Sequence, residues 1–184
     1  MRRWTSWLLP IAATCVPVAA TAAEGNALPR LESRNGQHAL IVDGAPFLML
    51  GAQVNNSANY PAMLPEVWPA IEKMHANTVE APVGWEQIEP EEGKFDFSFL
   101  DALLPQAREH NVRLVLLWFG TWKNTAPSYA PSWVKLNQKR FPRMINAKGE
   151  VHYALGPHYR TTLEADKRAF VKLMEYLKKN DPQN

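Results

Sequence analysis

Residues 77–97, NTVEAPVGWEQIEPEEGKFDF, decide how the rest of the chain is read. The segment opens as a strand, because Thr78, Val79 and Val83 are β-branched and the run is short and mostly apolar. Pro82 and Gly84 then predict a break into a loop carrying Trp85, Glu86 and Glu89. Pro90-Glu91-Glu92-Gly93 reads as a tight turn, with Pro fixing φ and Gly supplying a conformation other residues resist. Asp96 or Ser98 can cap the helix that follows. Strand, acidic and aromatic loop, then helix make one βα unit whose chemistry lies on the loop side.

The run Asn77-Thr78-Val79-Glu80, then Trp85, Glu89-Pro90 and Gly93-Lys94-Phe95-Asp96-Phe97, resembles the second βα unit of retaining β-galactosidases of glycoside hydrolase families 35 and 42. The resemblance implies a (β/α)8 barrel and hydrolysis of O-glycosidic bonds by two glutamates.

Outward from this unit, the same grammar repeats. Upstream, Ala39–Val42, the Asp43-Gly44 turn and Pro46–Leu50 read as a short β-hairpin, Asp-Gly being a strong two-residue turn signal. Phe47 to Gln53 is nearly continuous apolar sequence, as expected of a parallel strand buried on both faces. Gln53, Asn55 and Asn56 follow at its carboxyl end, where amides can bond sugar hydroxyls. Leu64, Val67, Trp68, Ile71 and Met74 fall at helical spacing, and Trp68 is expected in the core. Downstream, a helix from about Phe99 to His110 leads into the apolar run Val112–Phe119. Strands near Phe47, Thr78 and Val112 thus recur at about 30–35 residues, the length of one βα repeat. No G-x-G-x-x-G or P-loop pattern supports a nucleotide-binding sheet.

The third strand leads into residues 120–161, predicted as a long loop forming an active-site wall, since long irregular loops are uncommon unless functional. Trp118, Trp122 and Lys123 are its candidate sugar contacts, with Trp85 and Glu86 facing the site from the second unit. Glu89 is expected to anchor its own loop. Glu80 should point into the barrel, where a lone charge needs a partner. A final helix, Asp166 to Lys179, carries Phe170, Leu173, Met174 and Leu177 at helical spacing.

Composition bounds the remaining possibilities. The 184 residues hold 20 basic and 18 acidic side chains, a net +2. Removing Arg2 and Arg3 with the amino-terminal segment would bring that to 0, which offers no electrostatic footprint for nucleic acid or anionic membrane. Seven Trp in this length hint at sugar stacking. Residues 1–23 read as a signal peptide: Arg2-Arg3, the apolar Trp7–Val18 and the small Ala20-Thr21-Ala22 cleavage site. An exported protein, periplasmic or extracellular, is expected. Cys15 lies inside that segment, so the mature chain would have no thiol, disulfide or Cys-based metal site. No metal-ligand spacing occurs among the five His, and neither metal nor other cofactor is expected.

Residues 24–184 are therefore expected to form an α/β domain, a partial (β/α)8 TIM barrel of three βα units preceded by the hairpin. A complete barrel needs about 250 residues. In the resembling families the acid/base glutamate follows an Asn at the end of the fourth strand, and the nucleophile ends the seventh. No Asn-Glu dipeptide occurs in this sequence, so both catalytic glutamates are expected beyond residue 184. The expected partner is a β-galactoside or related oligosaccharide. The expected role is the amino-terminal part of an exported hydrolase, inactive alone, with a non-catalytic carbohydrate-binding remnant as the alternative.

Overall fold

A computed structural model describes residues 28–124 and 126–181; the expected signal peptide lies outside the described residues. Three short antiparallel strands come first: β1 (Arg30–Arg34), β2 (Gln37–Val42) and β3 (Ala45–Pro46). The Asp43-Gly44 turn forms as its sequence dictates, with φ of +51° and +78°, the two positive values a tight hairpin requires. An identical turn at Asn35-Gly36, with φ of +52° and +76°, adds β1, a strand the sequence reading did not include. The third strand of this sheet is only two residues long. Leu48, Met49 and Leu50, expected within a strand buried on both faces, are exposed at 76%, 43% and 51%.

A parallel sheet follows in the order β4-β5-β6, built from β4 (Gly51–Gln53), β5 (Thr78–Gly84) and β6 (Arg113–Phe119). Between β4 and β5 run a 3-10 turn (Pro61–Met63) and α1 (Leu64–Lys73); between β5 and β6 run α2 (Trp85–Ile88) and α3 (Ser98–Glu109). The α/β class and the parallel arrangement are as expected. β5 does not break at Pro82. The Glu80 carbonyl accepts from Val54 N at 3.0 Å, and strand alternation turns Pro82 toward that same β4 side. β4 has ended there, so the missing N–H interrupts no ladder, while Ala81 and Val83 keep the register with β6.

The register separates two faces. Ala52, Val79, Ala81, Val83, Leu114, Leu116 and Trp118 pack against the helices, joining Leu64, Trp68, Ile71, Leu100 and Leu103 in the core. Gln53, Glu80 and Val115, aligned in one row, belong to the opposite face. Among the described residues, neither core cluster includes a side chain of that row.

The segment after β6 is more ordered than a long loop. It holds α4 (Ser132–Lys135) and an antiparallel pair, β7 (Arg143–Ile145) with β8 (Val151–Leu155), before α5 (Arg160–Asn180). α5 begins six residues before the expected Asp166, at Arg160. Its inner side fills a second cluster in which Ala165 and Ala169 meet Trp85, Ala130, Val134, Phe141 and Leu155. Lower down, Tyr176 stacks on Phe97 with ring centroids 4.3 Å apart, and its hydroxyl donates to the Asp101 carboxylate on α3.

Burial, then the hydrogen bond to Asp101 and its charge, push the Tyr176 phenol up to about 12. A raised pKa in the folded state leaves this contribution intact below the unfolded value of about 10 and removes it as pH rises from there toward 12. A Tyr176→Phe variant is expected to lose the decline in unfolding free energy across that window. An absorbance titration should show one of the five tyrosines ionising late; five ordinary titrations would refute the assignment.

Candidate carbohydrate site at the carboxyl end of the sheet

The acidic loop after β5 is held by a buried carboxylate. Glu89 is fully buried. It accepts from Trp85 Nε1 at 3.0 Å, from Gly93 N at 2.8 Å and from Arg168 Nη2 at 2.7 Å. One charge thus closes the Pro90–Gly93 turn and ties it to α5. Arg140 binds Glu92 through two bonds of 2.7 Å, and this pairing holds the Glu92 carboxyl below its ordinary value. Glu89 anchors the loop, as the sequence suggested, but its partner lies 79 residues away.

That arrangement assigns Trp85 to packing. Expected to face a sugar, it is instead fully buried, edge-on to Trp133 at 5.8 Å, and offers no ring face to a ligand. The reason is local: once Glu89 is buried, its indole partner must follow it inward. Trp133 donates to the Glu89 carbonyl at 3.1 Å and packs the loop down. Glu86 stays partly exposed but is paired with Lys135 at 2.8 Å.

Trp118 is likewise turned away from the open face. It lies on the helix side of β6, and its Nε1 donates to Asp166 Oδ1 at 2.8 Å. The other Asp166 oxygen accepts from Thr121 N at 2.7 Å and Thr121 Oγ1 at 2.5 Å. Asp166 therefore fixes the start of the segment after β6, a role not legible in the sequence. Gly120 sits between these groups: a Cβ there would lie 2.5 Å from both Asp166 Oδ2 and Trp118 Nε1. Trp122 is 39% exposed and donates to the Leu155 carbonyl at 2.8 Å. Trp118, Trp122 and Phe170 line an apolar groove of about 590 Å3 beside β6.

Three of the expected residues, Gln53, Asn55 and Lys123, each stand at or just past the carboxyl end of a parallel strand. Gln53 ends β4 and is exposed. Asn55 follows it, exposed, its carbonyl oxygen taking Ser57 N at 2.9 Å. Lys123 Nζ lies 4.3 Å over the ring of Phe119, and Tyr129 covers the same ring at 4.8 Å. Glu80 lies level with Gln53 on the neighbouring strand, its Oε1 4.0 Å from where a Gly51 Cβ would stand. It is the only acidic residue of the three parallel strands. Amides, a cation and one carboxylate on a shallow surface can hold a polyhydroxylated ligand.

The β-galactosidase family Glyco_hydro_42 matches residues 63–178. The chain belongs to this glycoside hydrolase family. Beta-galactosidase 11 of Arabidopsis thaliana is 40% identical over 63 residues, which cover 32% of this chain and 7% of that protein. Among solved structures, the exo-beta-1,4-mannosidase Op5Man5 from Opitutaceae bacterium strain TAV5 superposes with a TM-score of 0.51 at 20% identity. That superposition covers 73% of this chain and 23% of the mannosidase, and shows that the α/β fold is shared with a glycosidase.

Arg168→Met would leave the Glu89 charge buried without its cation. A loss of about 3 kcal/mol is expected, read as a lower urea midpoint, with partial recovery in Glu89→Gln/Arg168→Met. An unmoved midpoint in the single variant would show that the pair is not what holds the loop.

Proposed function

We propose that this chain forms the first three βα units of a (β/α)8 barrel in an exported β-galactosidase-like hydrolase, and that it binds the sugar without supplying the catalytic pair. The observation that carries this reading is the state of the acidic loop. Retaining hydrolysis uses two carboxyl groups about 5–5.5 Å apart, one protonated and one nucleophilic. Here Glu89 is enclosed by four donor atoms of Trp85, Gly93 and Arg168, and Glu86 is paired with Lys135. Neither belongs to the open face, which carries Glu80 alone among acidic strand residues. The pair is therefore assigned to further strands of the barrel. Among the described residues β6 is an edge strand, and this edge, with the apolar groove of Trp118, Trp122 and Phe170, supports the docking of such a strand.

Gln53, Asn55 and Lys123 are the proposed substrate contacts, with Trp122 at the edge of the same loop. Trp85 and Trp118 position the segments that carry these groups. No cofactor enters the chemistry. Binding without hydrolysis, as a non-catalytic carbohydrate-binding remnant, is the second reading, and it is favoured by the same engaged glutamates. Export rests on the Arg2-Arg3, Trp7–Val18 and Ala20-Thr21-Ala22 pattern, which amino-terminal sequencing of the secreted chain would test.

The purified 184-residue chain is expected to leave p-nitrophenyl β-D-galactoside unhydrolysed. Its weak binding of galactose is expected to weaken further in Gln53→Ala and Lys123→Ala. Turnover that Glu86→Gln abolishes would overturn the assignment of the catalytic pair to other strands.

A further inference from the structure

A second cavity, of about 430 Å3, opens between the segments after β4 and β5 and the starts of α3 and α4. Its volume falls within the range of about 300–1,000 Å3 typical of small-molecule sites. The 3-10 turn supplies Tyr60 and Pro61, the acidic loop supplies Glu86 and Pro90, the start of α3 supplies Asp96, and the start of α4 supplies Ser132. We propose that this groove is an accessory carbohydrate subsite, taking one hexose of an oligosaccharide by stacking on Tyr60 and accepting its hydroxyl protons on Glu86 and Asp96.

The lining fits a neutral polyol better than other ligands. Tyr60 is 49% exposed, leaving a ring face for the apolar side of a pyranose, and Pro61 and Pro90 extend that surface without adding donors. The Asp96 carboxylate disfavours an anion. Glu86 has one oxygen engaged by Lys135 at 2.8 Å, which neutralises it and weakens the pull on a cation. Groups of three or more metal-ligating side chains are absent among the described residues. Asp96 Oδ1 accepts Ser98 N at 2.8 Å, and that backbone bond holds the carboxyl below its usual range, so it remains an acceptor in mildly acidic medium. The groove is braced: Asn59 Nδ2 donates to Gln87 Oε1 at 2.7 Å, and the same oxygen takes Gly84 N at 3.0 Å. These bonds tie the loop after β4 to that after β5, so the walls are set before a ligand arrives.

The choice of a sugar rests on the family reading, whereas the groove itself does not. Backbone amide shifts of the full chain titrated with lactose, cellobiose and β-1,4-mannobiose separate the two. Perturbations at Tyr60, Ser98 and Ser132 are expected. Binding there should fall about fivefold in Tyr60→Ala and be blocked in Ser132→Trp, both at exposed rim positions whose fold circular dichroism would verify. Lys123→Ala should leave these perturbations in place. Shifts confined to Gln53, Glu80 and Lys123 would overturn the accessory subsite and leave the proposed function standing. Shifts nowhere, with all three disaccharides, would overturn the subsite and count against sugar binding as a whole.

Discussion

One enclosed charge organises this fold. A carboxylate removed from water is costly unless paired and hydrogen-bonded, and Glu89 meets that demand by drawing in groups from three places. Trp85 comes from the preceding turn of helix, Gly93 from the turn that follows, and Arg168 from the last helix. Each of these commits its neighbours. Trp85 brings Ala130, Val134 and Phe141 into a second core, Gly93 sets the tight turn before α3, and Arg168 fixes α5 against the acidic loop. The segment between β6 and α5 is held at its start by Asp166 and along its length by Ala130, Val134, Phe141 and Leu155 in that second core.

The site inherits its form from that constraint. Residues that look like sugar-binding groups in the sequence divide into those consumed by packing and those left on the open face. Trp85 and Trp118 are consumed. Gln53, Asn55 and Lys123 remain, because they stand where strands end. Glu89 is spent on holding the loop, and Glu80 is the single acid of the three parallel strands.

Much of the fold was legible in residue patterns, and the misses have physical causes. The three parallel strands, their spacing and the helix faces follow from apolar runs and from Asp-Gly, Pro and Gly punctuation. The hairpin strand β1 was equally marked, by Asn35-Gly36, but its exposed residues lack the apolar alternation that draws attention to strands. Pro82 read as a strand break because a sequence does not show which neighbour a backbone N–H would face. Trp118 read as a site residue because a continuous apolar run does not reveal which of two faces each side chain takes. Asp166 was legible only as a helical residue, since its partners Trp118 and Thr121 are 48 and 45 positions away. Family likeness supplied the glycosidase class; local chemistry alone would have stopped at an α/β unit with an aromatic rim.

Pro82 has a consequence beyond its tolerance in β5. Parallel strands with apolar runs on both sides can pair in several offsets, and a slip by two residues would preserve every inward side chain. At Pro82, however, the β5 edge facing β4 lacks a donor, so extending β4 along it would form one ladder bond fewer. The imino acid thus disfavours a further two-residue extension of the ladder beyond the offset at which Gln53 comes level with Glu80, and the amide-bearing loop leaves the sheet there.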